Sequence, residues 1–385
     1  MPSLAVRLDY FVDSVINQMN ILAEKHGAIN LASGYPDSNP PEELLAAAER
    51  ALRDGYNQYA DPWGTLPLRQ ALAKKCSLFM HMHIEAERHI TVTCGGTEAM
   101  AAAILSVCNP GDRVIVFSPY YETYTPDMAL AGAEPVFVPL RPPQFGFDPQ
   151  ELRRAFASGA KALVLCNPSN PSGKVFTRQE LNIIAGLAQE FDTFVITDEV
   201  YEHIVYAPHR HTYISSLPGM FERTLSCGSL SKTYDITGWR LGYVLAPPPL
   251  TDAVRKLHDY LTLCAPAPFQ EAAITALRFP DSYYTQLQAE YTRRRNSFLS
   301  SLDQANLVYF PPQGAYFVLV DISRFGYEDD VAFCRWLAEE IGVVGVPGSY
   351  FFHEPEFRYI RLNFAKSEET MSEAGQRLLK LREKP

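Results

Sequence analysis

Three short apolar runs, each halted by a glycine, asparagine–proline or aspartate turn, constrain this chain more than any other feature. Ile90-Thr91-Val92-Thr93 leads into Cys94-Gly95-Gly96-Thr97, and Ala162 to Cys166 leads into Asn167-Pro168-Ser169-Asn170-Pro171-Ser172-Gly173. Phe194-Val195-Ile196 leads into Thr197-Asp198-Glu199-Val200-Tyr201. Runs of this length read as buried strands. The Gly-Gly-Thr turn opens onto Glu98-Ala99-Met100-Ala101-Ala102-Ala103, a helix-forming stretch. Strand and helix patterns alternate from about residue 90 to 245, as a mostly parallel sheet with crossover helices demands. Ligands of open α/β sheets gather where the strands end, so the turn residues are where chemistry is expected.

The richest segment runs from Ser229 to Tyr243, Ser-Leu-Ser-Lys-Thr-Tyr-Asp-Ile-Thr-Gly-Trp-Arg-Leu-Gly-Tyr. It sets Lys232 among small hydroxyl residues, with Arg240 eight positions on. A lysine that forms an imine needs an uncrowded backbone and a way to shed its proton, and a nearby arginine offers a fork for phosphate. Together they describe a site for a phosphorylated aldehyde. Alone, a lysine beside serines is an ordinary loop residue, so the other turns have to supply the remaining parts. Asp198, at a strand end, can pair with a protonated ring nitrogen, although a lone aspartate there can equally cap a helix. Tyr201 is three residues further on. The Asn-Pro loop is stiffened by two prolines, with its side chains pre-aimed. Exposed amides after Gly95 offer an anion site at a helix start.

The Lys232 segment, Asp198-x-x-Tyr201, the Asn167 to Gly173 loop and Arg361 in Tyr-Ile-Arg-Leu-Asn-Phe-Ala occur in one order. In that order they resemble the class I/II aminotransferases, pyridoxal 5′-phosphate (PLP) enzymes of the aspartate aminotransferase fold. The resemblance runs from about Ile29 to about Ala365, nearly the whole chain. It implies an α/β protein of PLP-dependent transferase fold type I. A large PLP-binding domain, 40–275, would hold a mostly parallel central sheet flanked by helices, and 1–39 with 276–385 would form a smaller α/β domain. By the same resemblance Lys232 forms the imine with the cofactor and shuttles the proton. Asp198 meets the pyridine nitrogen, Asn170 and Tyr201 hold the phenolic oxygen, and Tyr121 stacks on the ring. Ser229, Arg240 and the amides of Gly96 and Thr97 bind the phosphate. Arg361 clamps the substrate α-carboxylate, with Gly34 and Asn170 beside it. Tyr59 reaches the phosphate of a neighbouring subunit, which implies a homodimer with shared active sites. Pro-Ser-Gly stands where the family more often has Pro-Thr-Gly, and Ala32-Ser33-Gly34-Tyr35 where relatives often carry Gly-x-Gly-Phe; the second change bears on side-chain preference.

Composition narrows the setting. A chain of 385 residues with 47% hydrophobic content can bury large cores in two domains. A formal charge of −10 argues against nucleic acid or anionic membrane surfaces as partners. Seven cysteines, odd in number and without C-x-x-C spacing, suit reduced thiols in a cytoplasmic protein. Polar residues interrupt Met1 to Asn20, so no signal-peptide core is read there, and no apolar run has membrane-spanning length.

Beyond the alternating region, Pro247-Pro248-Pro249 is followed by a helical pattern over 250–263, and further helices are expected over 283–302 and 331–341, with a strand over 316–320. Arg293-Arg294-Arg295 reads as a solvated face with bridging contacts. His81, His83, His89, His209 and His211 read as surface residues, and neither they nor Glu199-x-x-x-His203 form a metal site. No G-x-G-x-x-G fingerprint is present, so a nicotinamide dehydrogenase has no support. The functional expectation is transfer of the amino group of an L-amino acid to a 2-oxo acid. Donors with neutral, aromatic or sulfur-containing side chains fit best, because no second arginine is matched to a side-chain carboxylate. The segments around Gly96, Tyr121 and Arg361 are similar to the branch that includes kynurenine, glutamine and methionine aminotransferases. Another reaction on the same fold, such as a β-lyase or amino-acid oxidase, shares every cofactor residue. A non-catalytic PLP sensor is disfavoured, because Lys232 is kept and no segment is spare for DNA binding.

Overall fold

The computed structural model describes residues 4–11 and 13–383. Their strands are, in chain order, β1 Ile29–Asn30, β2 Ile90–Cys94, β3 Arg113–Ser118, β4 Glu134–Pro139, β5 Ala160–Cys166, β6 Phe194–Asp198 and β7 Thr224–Ser229. They continue with β8 Leu241–Leu245, β9 Val308–Phe310, β10 Phe317–Asp321, β11 Val343–Val344, β12 Val346–Pro347 and β13 Tyr359–Asn363. A seven-stranded sheet has the order β2-β8-β7-β6-β5-β3-β4. β3–β4, β3–β5, β5–β6 and β6–β7 pair parallel, and β8 runs antiparallel to both β7 and β2. Only β8 therefore opposes the common direction.

Why these runs become central strands is visible in their neighbours. Leu163 and Val195 pack into one apolar cluster with Ile115, while the next residues, Val164 and Ile196, pack into another with Val116. Successive side chains enter opposite faces of the sheet, and both faces are covered, so the runs are apolar without alternation. Helices Gly95–Val107, Pro149–Ala157 and Arg178–Glu190 make crossovers between parallel strands. The last begins at Thr177, whose hydroxyl accepts from Glu180 N while the Glu180 carboxylate accepts from Thr177 N, a reciprocal cap.

A second, antiparallel sheet has the order β12-β13-β10-β9, and β1 pairs parallel with β11. Its core draws on both ends of the chain: Met19 and Leu31 pack with Phe298, Phe317, Phe333 and Leu362. The N-terminal segment is thus fastened to the C-terminal third. Helix boundaries differ from the sequence reading in two places. The helix expected from residue 250 starts at Pro248 and ends at Leu261, because prolines are tolerated in a first helical turn. The helix expected over 331–341 is α-helical over Asp330–Trp336 and widens to a π-helix over Leu337–Ile341. Asp281–Gln304 forms the long helix expected over 283–302.

Six strands of the large sheet share a direction, so their carboxyl ends lie at one edge. Register sets Asp198 beside Cys166 on one side and Cys227 on the other. The turns after β2, β3, β5, β6 and β7 therefore converge. β8 runs the other way, so Arg240, the residue before it, arrives at the same edge.

Candidate active site

A cavity of about 170 Å³ lies at this edge. Of the residues singled out from the sequence, Gly34, Gly96, Thr97, Tyr121, Asn170 and Asp198 line it, as do Tyr201, Ser229, Lys232, Arg240 and Arg361. Tyr59 does not; its side chain is exposed, at 81%.

Lys232 is half-buried, and its ammonium donates to Gly34 O at 2.7 Å. Burial, reinforced by the charges of Arg240 and Arg361 and opposed by Asp198, pushes its pKa down to about 8. At that value about a tenth of the lysine is neutral at pH 7 and about half at pH 8, and the neutral form is the one that can attack a carbonyl or accept a proton. Asp198 Oδ2 accepts from Tyr124 Oη at 2.6 Å, and Oδ1 accepts from Val200 N at 3.3 Å. Burial pushes its carboxyl up from the usual range, against the pull of those two donors and of Lys232. A buried carboxylate of this kind is favoured in its charged form by a cationic partner.

Arg361 is fully buried. Its Nη1 donates to Asn170 Oδ1 at 2.8 Å and its Nη2 to Ala32 O at 2.9 Å. The guanidinium lies over the rings of Phe317 and Phe351, 4.1 and 4.9 Å from their centroids. Its Nε has no hydrogen-bond partner, and among the described residues no carboxylate forms an ion pair with it. A buried cation without a counter-charge is costly, so this geometry demands an anion. Because arginine only donates, Asn170 must present its oxygen to Arg361, which leaves the amide NH₂ for another acceptor.

The phosphate end is built from backbone and one fork. Helix Gly95–Val107 begins at the cavity, and its first N–H groups have no acceptor within the helix. Arg240, with φ +54°, packs its guanidinium over Gly95, where a Cβ would come within 2.4 Å of Nη2. The chemistry of this donor set fits PLP: a helix start, a hydroxyl at Ser229 and an arginine for phosphate, a buried carboxylate for the ring nitrogen, and a lysine of lowered pKa between them.

Several side chains in this shell escaped the sequence reading. Tyr124 lies three residues beyond Tyr121 in the chain, but only folding brings it to Asp198, 74 positions away. Tyr316 Oη donates to Gly34 O at 3.0 Å. Asn363 Nδ2 donates to Ser33 O and Lys366 Nζ to Ser33 Oγ, so the segment holding Gly34 is fastened along its length. Ser231 Oγ is buried, without a partner, in the cavity wall. Two of the histidines expected at the surface lie inside the protein. His89 is buried, and the side chain of His211 is only 6% exposed, with its Nε2 2.5 Å from Glu199 Oε2. The arginine run is only partly a solvated face: Arg293 pairs with Glu368 and Arg294 with Glu290, while Arg295 lies over the Tyr206 ring. Among the described residues no group of three or more His, Cys, Asp or Glu is arranged to hold a metal, and no helix is long and apolar enough to cross a membrane.

A family model described as aminotransferase class I and II matches residues 26–378. Methionine aminotransferase of Escherichia coli is 38% identical over 96% of this chain and 96% of its own length. Kynurenine–oxoglutarate transaminase 1 of Homo sapiens is 36% identical, with 93% of each chain covered. The solved structure of N-succinyldiaminopimelate aminotransferase from Mycobacterium tuberculosis superposes with a TM-score of 0.95 at 36% identity, covering 98% of this chain and all of that one.

Proposed function

This chain belongs to the class I and II aminotransferases and is a PLP-dependent enzyme; on that premise we propose which residues do the work and which substrates they take. Lys232 would hold the cofactor through its Nζ and, when free of it, would accept and return the substrate's Cα proton. Asp198, supported by Tyr124, holds the ring nitrogen; Asn170 NH₂ and Tyr201 hold the phenolic oxygen, and Tyr121 covers the ring. Ser229, Arg240 and the amides of Gly96 and Thr97 take the phosphate. Bound there, PLP supplies an electron sink for the charge left when the Cα proton departs. Arg361, with Gly34 and Asn170 beside it, takes the α-carboxylate in a bidentate pair.

The observation that carries this reading is the buried Arg361 guanidinium, partnered by an amide and a carbonyl but by no carboxylate, about the same cavity as Lys232. The donor range follows from the rest of the wall. Ile16, Met100, Thr123 and Val200 line it, and Arg240 and Arg361 are its only arginines among the described residues. Both are assigned, so this chain's own wall offers no further arginine for a side-chain carboxylate. Neutral, aromatic or sulfur-containing L-amino acids are the donors, and a small 2-oxo acid is the acceptor. One methylene changes selectivity in an apolar pocket by only about 1–3 kcal/mol, so the range is broad. The names of the methionine and kynurenine relatives support the same class. The reading includes a cytoplasmic homodimer in which Tyr59 serves the second copy's phosphate, and a division into 40–275 and 1–39 with 276–385.

A half-reaction panel tests it, following conversion of the cofactor to its amino form with each amino acid in turn. Neutral donors should lead. Aspartate or glutamate faster than every neutral donor by about tenfold, or 1.4 kcal/mol, contradicts the donor assignment. Ammonia and pyruvate as the main products from a suitable donor would indicate a lyase.

A further inference from the structure

The turn after β6 faces two ways. Asp198, Val200 and Tyr201 line the large cavity, whereas Glu199 and Glu202 line a small space behind it, with Lys75, Phe79 and Tyr213. That second face is charged and closed to water. Lys75 Nζ donates to one oxygen of Glu202 and Tyr213 Oη to the other. His203 Nε2 lies 3.4 Å from Glu202, and Glu199 Oε2 lies 2.5 Å from His211 Nε2. The His211 and Tyr213 rings meet edge-on, with centroids 4.4 Å apart. The side chains of Lys75, Glu199, Glu202, His203 and His211 are each at most 6% exposed. Burial alone would raise the Glu202 pKa, yet Lys75 and His203 hold it well below the usual carboxylate range.

A buried ion pair adds little net stability compared with apolar residues of the same volume, but it fixes geometry because breaking it leaves a buried charge. Here the geometry is that of a five-residue turn. Its backbone is tied at Glu199 N to Cys227 O, 2.8 Å, and at Glu202 N to Glu199 O, 3.0 Å. Anchoring 199 and 202 behind the turn leaves 198 and 201 one way to face the cavity. Displacements of about 1 Å at such groups cost up to ~100-fold in rate.

We infer that Lys75, Glu202 and Tyr213 form a bracket that positions Asp198 and Tyr201 against the cofactor ring without touching it. The inference rests on the reading of Asp198 and Tyr201 as ring contacts. Lys75, on helix Leu66–Met80, is then a positioning residue 157 positions from Lys232, reached through the turn.

The full chain is tested with and without cofactor as Lys75→Met/Glu202→Gln, which removes both charges together, and as Tyr213→Phe, which removes one donor. Dissociation constants are measured for PLP and for inorganic phosphate, near-UV circular dichroism reports the fold, and Asp198→Ala is the reference. The double variant should bind PLP about tenfold or more weakly, keep its affinity for phosphate, and lose kcat more than it gains KM. Tyr213→Phe should move the same way by less. PLP affinity unchanged in the folded variants, or an equal loss for both ligands, overturns the bracket. With the double variant unfolded, Tyr213→Phe decides alone: full PLP affinity there overturns the inference, and a selective loss supports it. Wild-type PLP affinity in Asp198→Ala overturns the ring-contact reading itself, and the inference with it.

Discussion

At the scale of single residues the site is governed by burial acting on charge. Burial lowers the Lys232 pKa to about 8 in the folded chain. The sign follows directly: the unfolded chain binds this proton more tightly, so stability rises with pH between about 8 and the ordinary lysine value near 10.4. The same titration sets reactivity. In the cofactor-free protein, capture of PLP by Lys232, trapped with borohydride, should rise about tenfold per pH unit up to about 8 and level off above it. A flat profile from about pH 6 to 9 contradicts the assignment. Lys232→Ala should fold and bind PLP without covalent trapping, and transamination should vanish. Asp198→Ala should cost two or more decades in Cα-proton abstraction, on the order of 3 kcal/mol, because the anion facing the ring nitrogen is gone. Tyr124→Phe removes only the 2.6 Å donor to that carboxylate and should cost about 1 kcal/mol, measured as exchange of the substrate Cα deuteron.

At the scale of elements, close approach decides. β8 passes so near the start of helix Gly95–Val107 that a Cβ on Gly242 would lie 2.4 Å from Gly95 C and 2.7 Å from Gly96 N. Gly242→Ala must push the helix start away from Arg240, so phosphate binding should weaken together with stability, by about 1–3 kcal/mol as in other overpacked contacts. Calorimetry and phosphate titration on the same variant check this; wild-type values in both would show that the contact yields freely. Sequence reading located β5 and β6 because parallel strands buried on both faces carry unbroken apolar runs. Helix ends were less legible. Prolines at 247–249 read as a break, yet they sit where a first turn needs no donor. The widening at Leu337–Ile341 has no signature in the local pattern.

At the scale of the whole molecule, Tyr59 is outside its own cavity and exposed, and Tyr260, Leu261 and Leu263 also expose apolar surface. In the proposed homodimer with shared sites, Tyr59 would find its partner in the second copy. Mixing an inactive Tyr59→Phe subunit with an inactive Lys232→Ala subunit should restore part of the activity, since one site in the hybrid then has both residues intact. A fully active monomer in sedimentation removes the basis for this.

Sequence alone determined the strand–turn–helix order, the turn residues that meet at one sheet edge, and the lysine, aspartate and arginine that converge there, because each is written in a short contiguous motif with its own physical requirement. Only tertiary structure decided which donors complete them. Tyr124 reaches Asp198, Asn363 and Lys366 fasten the Gly34 segment, and Lys75 meets Glu202 across 127 positions. Buried polar groups must find partners wherever the chain brings them, and no local pattern records a partner supplied by a distant element.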